Sequence, residues 1–106
     1  MNNKGHTALT QREILGTLKR NREMLRKYQV KRIGLFGSYA AGMQGKKSDI
    51  DFLVEFKEPT FNNFMGLHDH LVRLFRRKID LLTPAGVDSI RIKSVVENIK
   101  KSVVYA

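Results

Sequence analysis

The clearest pattern of apolar and polar residues lies between residues 49 and 56, where the two types alternate and predict a half-buried β-strand. One face of this strand is wholly apolar and is expected to be core; it consists of Ile50, Phe52, Val54 and Phe56. The opposite face carries two carboxylates two residues apart; it consists of Asp49, Asp51, Leu53 and Glu55. The acidic residues are therefore expected on a strand whose opposite face is buried in the core.

Three other stretches have helical periodicity. Thr10 is a candidate N-cap for a helix that runs to about Lys27. A second helix is expected over residues 61–76, after Pro59-Thr60 breaks the preceding strand, and a last helix over residues 88–101.

Short β-branched or apolar runs predict the remaining strands. These are residues 30–36, residues 78–83 (with Pro84 stopping the strand) and a short closing strand within residues 102–105. A brief helix is expected just after Gly37-Ser38. The resulting order predicts an α+β fold, a small mixed β-sheet flanked by helices.

Length and composition limit the possibilities further. With 106 residues and 42% hydrophobic positions, the chain fits a single domain spanning residues 1–106. The absence of cysteine excludes disulfides and thiolate zinc sites. No apolar run is long enough to span a membrane, and the N-terminus lacks the features of a signal peptide. We therefore expect a cytoplasmic protein with no membrane partner.

The charge balance points to an anionic partner. Twenty Lys and Arg residues against ten Asp and Glu give a net charge of +10, and seven of the basic residues fall between Lys19 and Arg32. Such a charge favours nucleic acid, a nucleoside triphosphate or an acidic protein. The charge alone does not choose among the three.

Gly37-Ser38 is a candidate phosphate site because it lies at a strand-to-helix turn. Glycine lets the backbone approach a ligand closely, the following helix begins with unpaired N–H groups, and Ser38 adds a hydroxyl. The alternative is an ordinary turn with a helix cap, because short glycine motifs are weak evidence.

The aspartates are candidate metal ligands. Asp49 and Asp51 share a strand face and could converge on Mg²⁺, which prefers oxygen ligands and keeps positions open for phosphates. Asp80 interrupts the apolar strand at residues 78–83 and could face the same metals if the two strands are neighbours. The alternatives are a solvated acidic edge for the pair and a salt bridge from Asp80 to Arg77 or Lys78.

These features together resemble a known family. Gly37-Ser38, ten residues, then Asp49-x-Asp51 with Ser48 just before the first aspartate, resembles the nucleotidyltransferase signature of the DNA polymerase beta superfamily. Asp80 occupies the place of that family's third carboxylate. The resemblance covers roughly residues 30–83. The small size and the C-terminal tail resemble the minimal nucleotidyltransferases that act as antitoxins beside a HEPN-domain toxin.

The resemblance implies an activity and a partner. ATP would be the substrate and AMP the group transferred, with a tyrosine of a cognate HEPN toxin as acceptor and two Mg²⁺ ions as cofactors. Asp49 and Asp51 would bind both metals, Asp80 would complete the catalytic site, and Gly37 and Ser38 would hold the β- and γ-phosphates. Modification of the tyrosine would silence the toxin.

One departure from the family pattern leaves alternatives open. Ala41 stands where the family usually has an arginine. A catalytically weak antitoxin that acts by binding alone is therefore a second possibility. A basic nucleic-acid-binding module ranks third, because no binding motif is recognisable and aromatic residues make up only 8% of the chain.

Overall fold

The sheet is mixed and four-stranded. The computed structural model of the chain describes residues 9–42 and 49–106, and the strand order within these is β3-β2-β1-β4. The strands are β1 (Val30–Phe36), β2 (Ile50–Phe56), β3 (Ile79–Leu82) and β4 (Val104–Tyr105). β1 runs antiparallel to both β2 and β4, whereas β2 and β3 are parallel. The predicted mixed sheet and all four predicted strands are confirmed.

Six helices accompany the sheet in the described part of the chain. They are α1 (Gln11–Arg20), α2 (Arg22–Lys27), α3 (Gly37–Ala41), α4 (Phe61–Phe75), α5 (Pro84–Asp88) and α6 (Lys93–Ser102). α4 connects the parallel strands β2 and β3, which need a crossover longer than a tight turn. None of the described helices is long and apolar enough to cross a membrane.

The first predicted helix begins where expected but is interrupted. Thr10 accepts a hydrogen bond from the Glu13 N–H at 3.1 Å, and the Glu13 carboxylate accepts one from the Thr10 N–H at 2.9 Å, which forms a capping box. The prediction of one continuous helix to Lys27 is wrong, because α1 ends at Arg20 and α2 begins at Arg22, with Asn21 between them. The Asn21 side-chain amide donates to the Thr17 carbonyl at 2.7 Å and so competes with the helical hydrogen-bond pattern.

The part of the chain after β3 contains one helix more than predicted. Pro84 stops β3 as expected, but it is also the first residue of α5, where a missing N–H costs nothing. Thr83 caps α5 by accepting a hydrogen bond from the Gly86 N–H at 3.1 Å. The helix expected over residues 88–101 instead begins at Lys93, so the predicted start at Asp88 is wrong.

The two faces of β2 contact two different apolar clusters. The predicted core face is confirmed, since Ile50, Phe52 and Val54 are fully buried in the main cluster with residues of α1 and α4. On the opposite face Leu53 is also buried, in a smaller cluster with Phe36 and Val87 of α5. This second face is therefore apolar at its centre, and the aspartates occupy the end where β2 begins.

Candidate functional site

The parallel pairing of β2 and β3 brings two aspartates side by side. Asp51 is the register partner of Asp80, and their side chains point to the same face. Neighbouring strands lie about 4.8 Å apart, so the two carboxyl groups are adjacent and close enough for protonated Asp51 to donate a hydrogen bond to Asp80. Asp51 is half-buried and Asp80 is exposed. The predicted convergence of these two residues is thus seen in the fold.

The environment of Asp51 disfavours its charged form. Burial is the largest cause, followed by the hydrogen bond that protonated Asp51 donates to Asp80 and by the negative charges of Asp80 and Asp49; together they raise the pKa of Asp51 to about 6. Like charges held this close are unfavourable without a cation. Such a site is typical of functional carboxylates.

Asp49 lies just before β2 and is engaged differently. Its Oδ2 atom is 3.8 Å from the Lys78 Nζ atom, so Lys78 pairs with Asp49 and not, as one alternative had it, with Asp80. Within residues 9–42 and 49–106, no three His, Cys, Asp or Glu side chains are gathered closely enough to hold a metal ion. The structure therefore joins two of the three predicted ligands and places the third within electrostatic range of Asp51.

Gly37 lies against the aspartate pair because Phe36, the last residue of β1, is paired with Asp51. Its φ of 72° is in the left-handed region, and a Cβ atom built at this position would collide with the Asp51 Oδ2 atom. Only glycine fits both constraints. Ser38 follows in the first turn of α3 and is half-buried, so the two predicted phosphate-contacting residues adjoin the carboxylates.

The short helix α3 is fixed in place by its neighbours. Tyr39 is fully buried, and the Gln11 side-chain amide donates to the Tyr39 and Ala40 carbonyls at 3.3 and 3.0 Å. Ala41 is exposed at the end of α3, so the arginine that the family usually has here would lie on the surface. The loop residues Lys46, Lys47 and Ser48, considered with the sequence motif, lie outside the described residues.

Two residues near the site carry no obvious sequence signal. Lys78 contacts Asp49, and the His68 Nε2–H group of α4 donates to the Ile79 carbonyl at 2.9 Å, directly before Asp80. The Lys78 contact depends on the pairing of β2 with β3, and the His68 contact depends on the packing of α4 against β3. Strand position could have indicated Lys78, because it directly precedes β3 in line with Asp49, but nothing in the sequence indicated His68.

The residues present fit a hard divalent cation. Carboxylate oxygens are the ligands that Mg²⁺ prefers, and it commonly uses one or two protein carboxylates together with substrate phosphates and water. Asp51 and Asp80 supply that number, with Asp49 close by. A bound cation would also stabilise the charged form of Asp51, whose pKa burial and the neighbouring carboxylates raise.

The family model described as the nucleotidyltransferase domain matches residues 18–106, a range that contains all five predicted site residues. The chain belongs to the nucleotidyltransferase family. The prediction of this enzyme class is thereby confirmed.

Two named relatives match most of the chain. The Thermococcus cleftensis protein adenylyltransferase MntA is 33% identical over 99 residues, which cover 92% of this chain and 96% of the relative. MJ1379 of Methanocaldococcus jannaschii, named as a candidate protein adenylyltransferase, is 39% identical over 89 residues, covering 80% of this chain and 89% of the relative.

Solved structures share the fold. A protein described as a candidate minimal nucleotidyltransferase superposes with a TM-score of 0.70 at 20% identity, covering 91% of this chain and 95% of that one. A chain of a toxin–antitoxin structure with AMP-PNP superposes with a TM-score of 0.61 at 22% identity, covering 82% of this chain and 69% of that one. The predicted minimal nucleotidyltransferase fold is confirmed.

Proposed function

We propose that this nucleotidyltransferase acts in the cytoplasm as an antitoxin that transfers AMP from ATP, with Mg²⁺, to a tyrosine hydroxyl of a HEPN-domain toxin. The main observation behind the proposal is that Asp51 and Asp80 are register partners on neighbouring strands and lie beside Gly37. Relatives named protein adenylyltransferases support the reaction, and structural neighbours that are toxin–antitoxin complexes support the partner.

The proposed reaction is a displacement at the α-phosphorus of ATP. The tyrosine oxygen forms a bond to the α-phosphorus, the bond from that phosphorus to the bridging oxygen breaks, and pyrophosphate leaves. The phenolic proton passes to the carboxylate of Asp80. Asp80 suits this role because it is exposed on the edge strand of the sheet, where a side chain of a partner can approach.

Asp49, Asp51 and Asp80 would hold the metal. Bound Mg²⁺ supplies neutralisation of the triphosphate charge and lowers the pKa of the attacking hydroxyl. Asp51 is the best placed of the three, because it contacts Asp80 across the strands and is fixed by the buried apolar face behind it. Asp49 would join after release from Lys78, whose cation is then free to face the phosphates.

Gly37 and Ser38 would contact the β- and γ-phosphates. The absence of a Cβ at position 37 already accommodates the Asp51 carboxylate, and it leaves backbone close to the place where metal-bound phosphates would lie. Ser38, one residue further, adds a hydroxyl donor. Ser38→Ala should therefore weaken ATP binding while leaving Asp51 and Asp80 in place.

The proposal is tested by incubating the protein with ATP labelled at the α-phosphate, Mg²⁺ and the HEPN protein with which it co-purifies. We expect label on the HEPN protein, and none after Asp49→Asn or after replacement of the acceptor tyrosine by Phe. Asp88→Asn is the matched control, because Asp88 is an exposed carboxylate of α5 that pairs with Lys100 at 2.8 Å.

The same variants separate transfer from the binding-only alternative. If co-expressed Asp49→Asn protein still protected cells from the toxin, protection would come from binding, and the transfer reaction would not be the means of neutralisation. If no HEPN protein co-purified with the native chain, the proposed partner would be wrong.

A further inference from the structure

A basic groove lies at the opposite end of β1 from the carboxylates. It is formed between the α1–α2 segment and the start of β1, and it encloses about 250 Å³. Its cationic residues come from both sides and are Lys19, Arg22, Arg26, Lys31 and Arg32. β1 rises roughly 3.3 Å per residue, so Lys31 is about 20 Å from Gly37 along the strand. The groove is therefore separate from the proposed nucleotide site.

The cations of this basic groove are only partly neutralised. Lys31 and Arg32 share one carboxylate, that of Glu55, at 3.7 and 3.4 Å. Arg26 pairs with Glu23 at 2.9 Å, but both side chains are largely exposed, so that pair contributes little. Lys19 and Arg22 have no ion-pair partner in residues 9–42 and 49–106. The groove thus keeps an excess of positive charge.

The floor of the basic groove is apolar. It consists of Leu18, Leu25, Val30 and Ile33, which belong to or pack against the main core cluster. On one side, the Arg32 guanidinium lies over the Tyr105 ring, 4.2 Å from its centre. An apolar surface bordered by cationic side chains is suited to a ligand that has both apolar and anionic groups.

We propose that the basic groove binds an acidic segment of a protein partner, with an apolar side chain of that segment seated on its floor. Charge complementarity supplies the first argument, because carboxylates on the partner would pair with Lys19 and Arg22. The second argument is the apolar floor, which a segment made only of charged residues would leave unused. The proposal does not depend on the nucleotidyltransferase reaction.

The size of the basic groove favours this occupant over others. Pockets that hold cofactors and drug-sized ligands usually enclose about 300–1,000 Å³, so 250 Å³ suits one or two side chains better than a nucleotide. A single-stranded nucleic acid would be expected to stack its bases on aromatic residues, and the groove lining includes none. An acidic peptide, helical or extended, with spaced apolar side chains would match both the positive charge and the volume of the basic groove.

The test uses fluorescent peptides and the full chain. The probe is a peptide of about a dozen residues, rich in Glu, with Leu at helical spacing; a second peptide has every Leu replaced by Ala. We expect the Leu peptide to bind with at least about fivefold higher affinity than the Ala peptide. Lys19→Glu with Arg22→Glu should weaken binding of the Leu peptide by about tenfold or more, because both charges are reversed.

The matched control is Arg73→Glu with Lys93→Glu. These two exposed residues lie on α4 and α6, outside the basic groove, and their reversal changes the net charge by the same amount. We expect less than about a twofold effect on peptide binding. None of the four substituted residues forms an ion pair within the described part of the chain, so neither variant should lose an ion pair that stabilises the fold. Thermal unfolding of both variants would confirm this.

Four results would overturn the proposal. The first is failure of the Leu peptide to bind, and the second is equal weakening in the groove and control variants, which would indicate bulk charge. The third is equal affinity for the Leu and Ala peptides, which would mean that the apolar floor is unused. The fourth is tighter binding of a single-stranded RNA of the same length, lost in the groove variant, which would assign the groove to nucleic acid.

Discussion

The two faces of β2 differ in what they contribute, although their residues alternate along one strand. Phe52 is fully buried, and its ring lies 5.9 Å from the ring of Phe75, so this face stabilises the fold. Asp51, its neighbour, is half-buried beside other carboxylates; burial first and these carboxylates second raise its pKa and make its charged form unfavourable. Burial of one face of β2 thus stabilises the strand enough to keep neighbouring carboxylates close together on the other face.

Asp51→Asn gives the largest expected effect, which is a loss of activity. Removing a carboxylate that is a proposed metal ligand should reduce nucleotidyl transfer by roughly a hundredfold or more, while the protein stays folded. Turnover with labelled ATP and circular dichroism measure the two quantities. Asp88→Asn should retain full activity; a comparable loss in that control would show that the effect is not specific to the site.

Phe52→Ala acts on the other face and should affect stability. Truncating a fully buried Phe costs about 3–5 kcal/mol in the free energy of unfolding, because the contacts are lost and a cavity remains. Urea denaturation measures this difference. Phe61→Ala is the matched control, since Phe61 is 77% exposed and its loss should change stability by less than about 0.5 kcal/mol. Equal costs for the two variants would contradict the assignment of the core face.

Gly37→Ala should disturb both properties, because Gly37 lies where the two regions meet. A left-handed φ costs a non-glycine residue about 1–2 kcal/mol, and the new Cβ would also displace the Asp51 carboxylate. We expect reduced stability together with reduced transfer. Gly16→Ala, within α1 and with ordinary φ, should instead be neutral or slightly stabilising. A fully active Gly37→Ala protein would be inconsistent with this close approach.

The smallest expected effect concerns stability against pH in the absence of divalent cations. The pKa of Asp51 is about 6 in the folded protein and near 3.8 when unfolded, so the folded state binds the proton more tightly. Stability attributable to this group is therefore present at low pH and lost as the pH rises from about 4 to about 6. Asp51→Asn should remove this loss and raise the melting temperature at neutral pH by a few degrees, roughly 2–6 °C.

Thermal unfolding in EDTA across that pH range measures the difference. Asp88→Asn is again the control, and its pH profile should match that of the native protein. A native-like slope in Asp51→Asn would show that the pH dependence of stability does not come from Asp51.

The arrangement of β2 could be predicted because alternation carries the information locally. A period of two residues predicts which apolar residues share the strand face of Phe52, and it places Asp49 and Asp51 together on the other face. The pairing of Asp51 with Asp80 could be anticipated from a strand, a helix and a second strand in succession, since such units are parallel and adjacent. The hydrogen bond from His68 to the Ile79 carbonyl could not, because it depends on how α4 packs against β3.

Other features required tertiary information. The apolar stripe through Leu18 and Leu25 continues in phase across Asn21, so periodicity alone did not reveal the break between α1 and α2. Pro84 was interpreted as a stop, although Thr83-Pro84 is equally a helix start. The basic run from Lys19 to Arg32 was evident, but its apolar floor forms only when α1, α2 and β1 pack together.

The central claim is that the Asp51–Asp80 pair is a metal-dependent nucleotide site, and calorimetric titration of ATP in the presence and absence of Mg²⁺ tests it most directly. We expect the native protein and Asp88→Asn to bind ATP only when Mg²⁺ is present, and Asp51→Asn and Asp80→Asn to lose that binding. Equal affinity for ATP in all four proteins, or affinity independent of Mg²⁺, would contradict the claim.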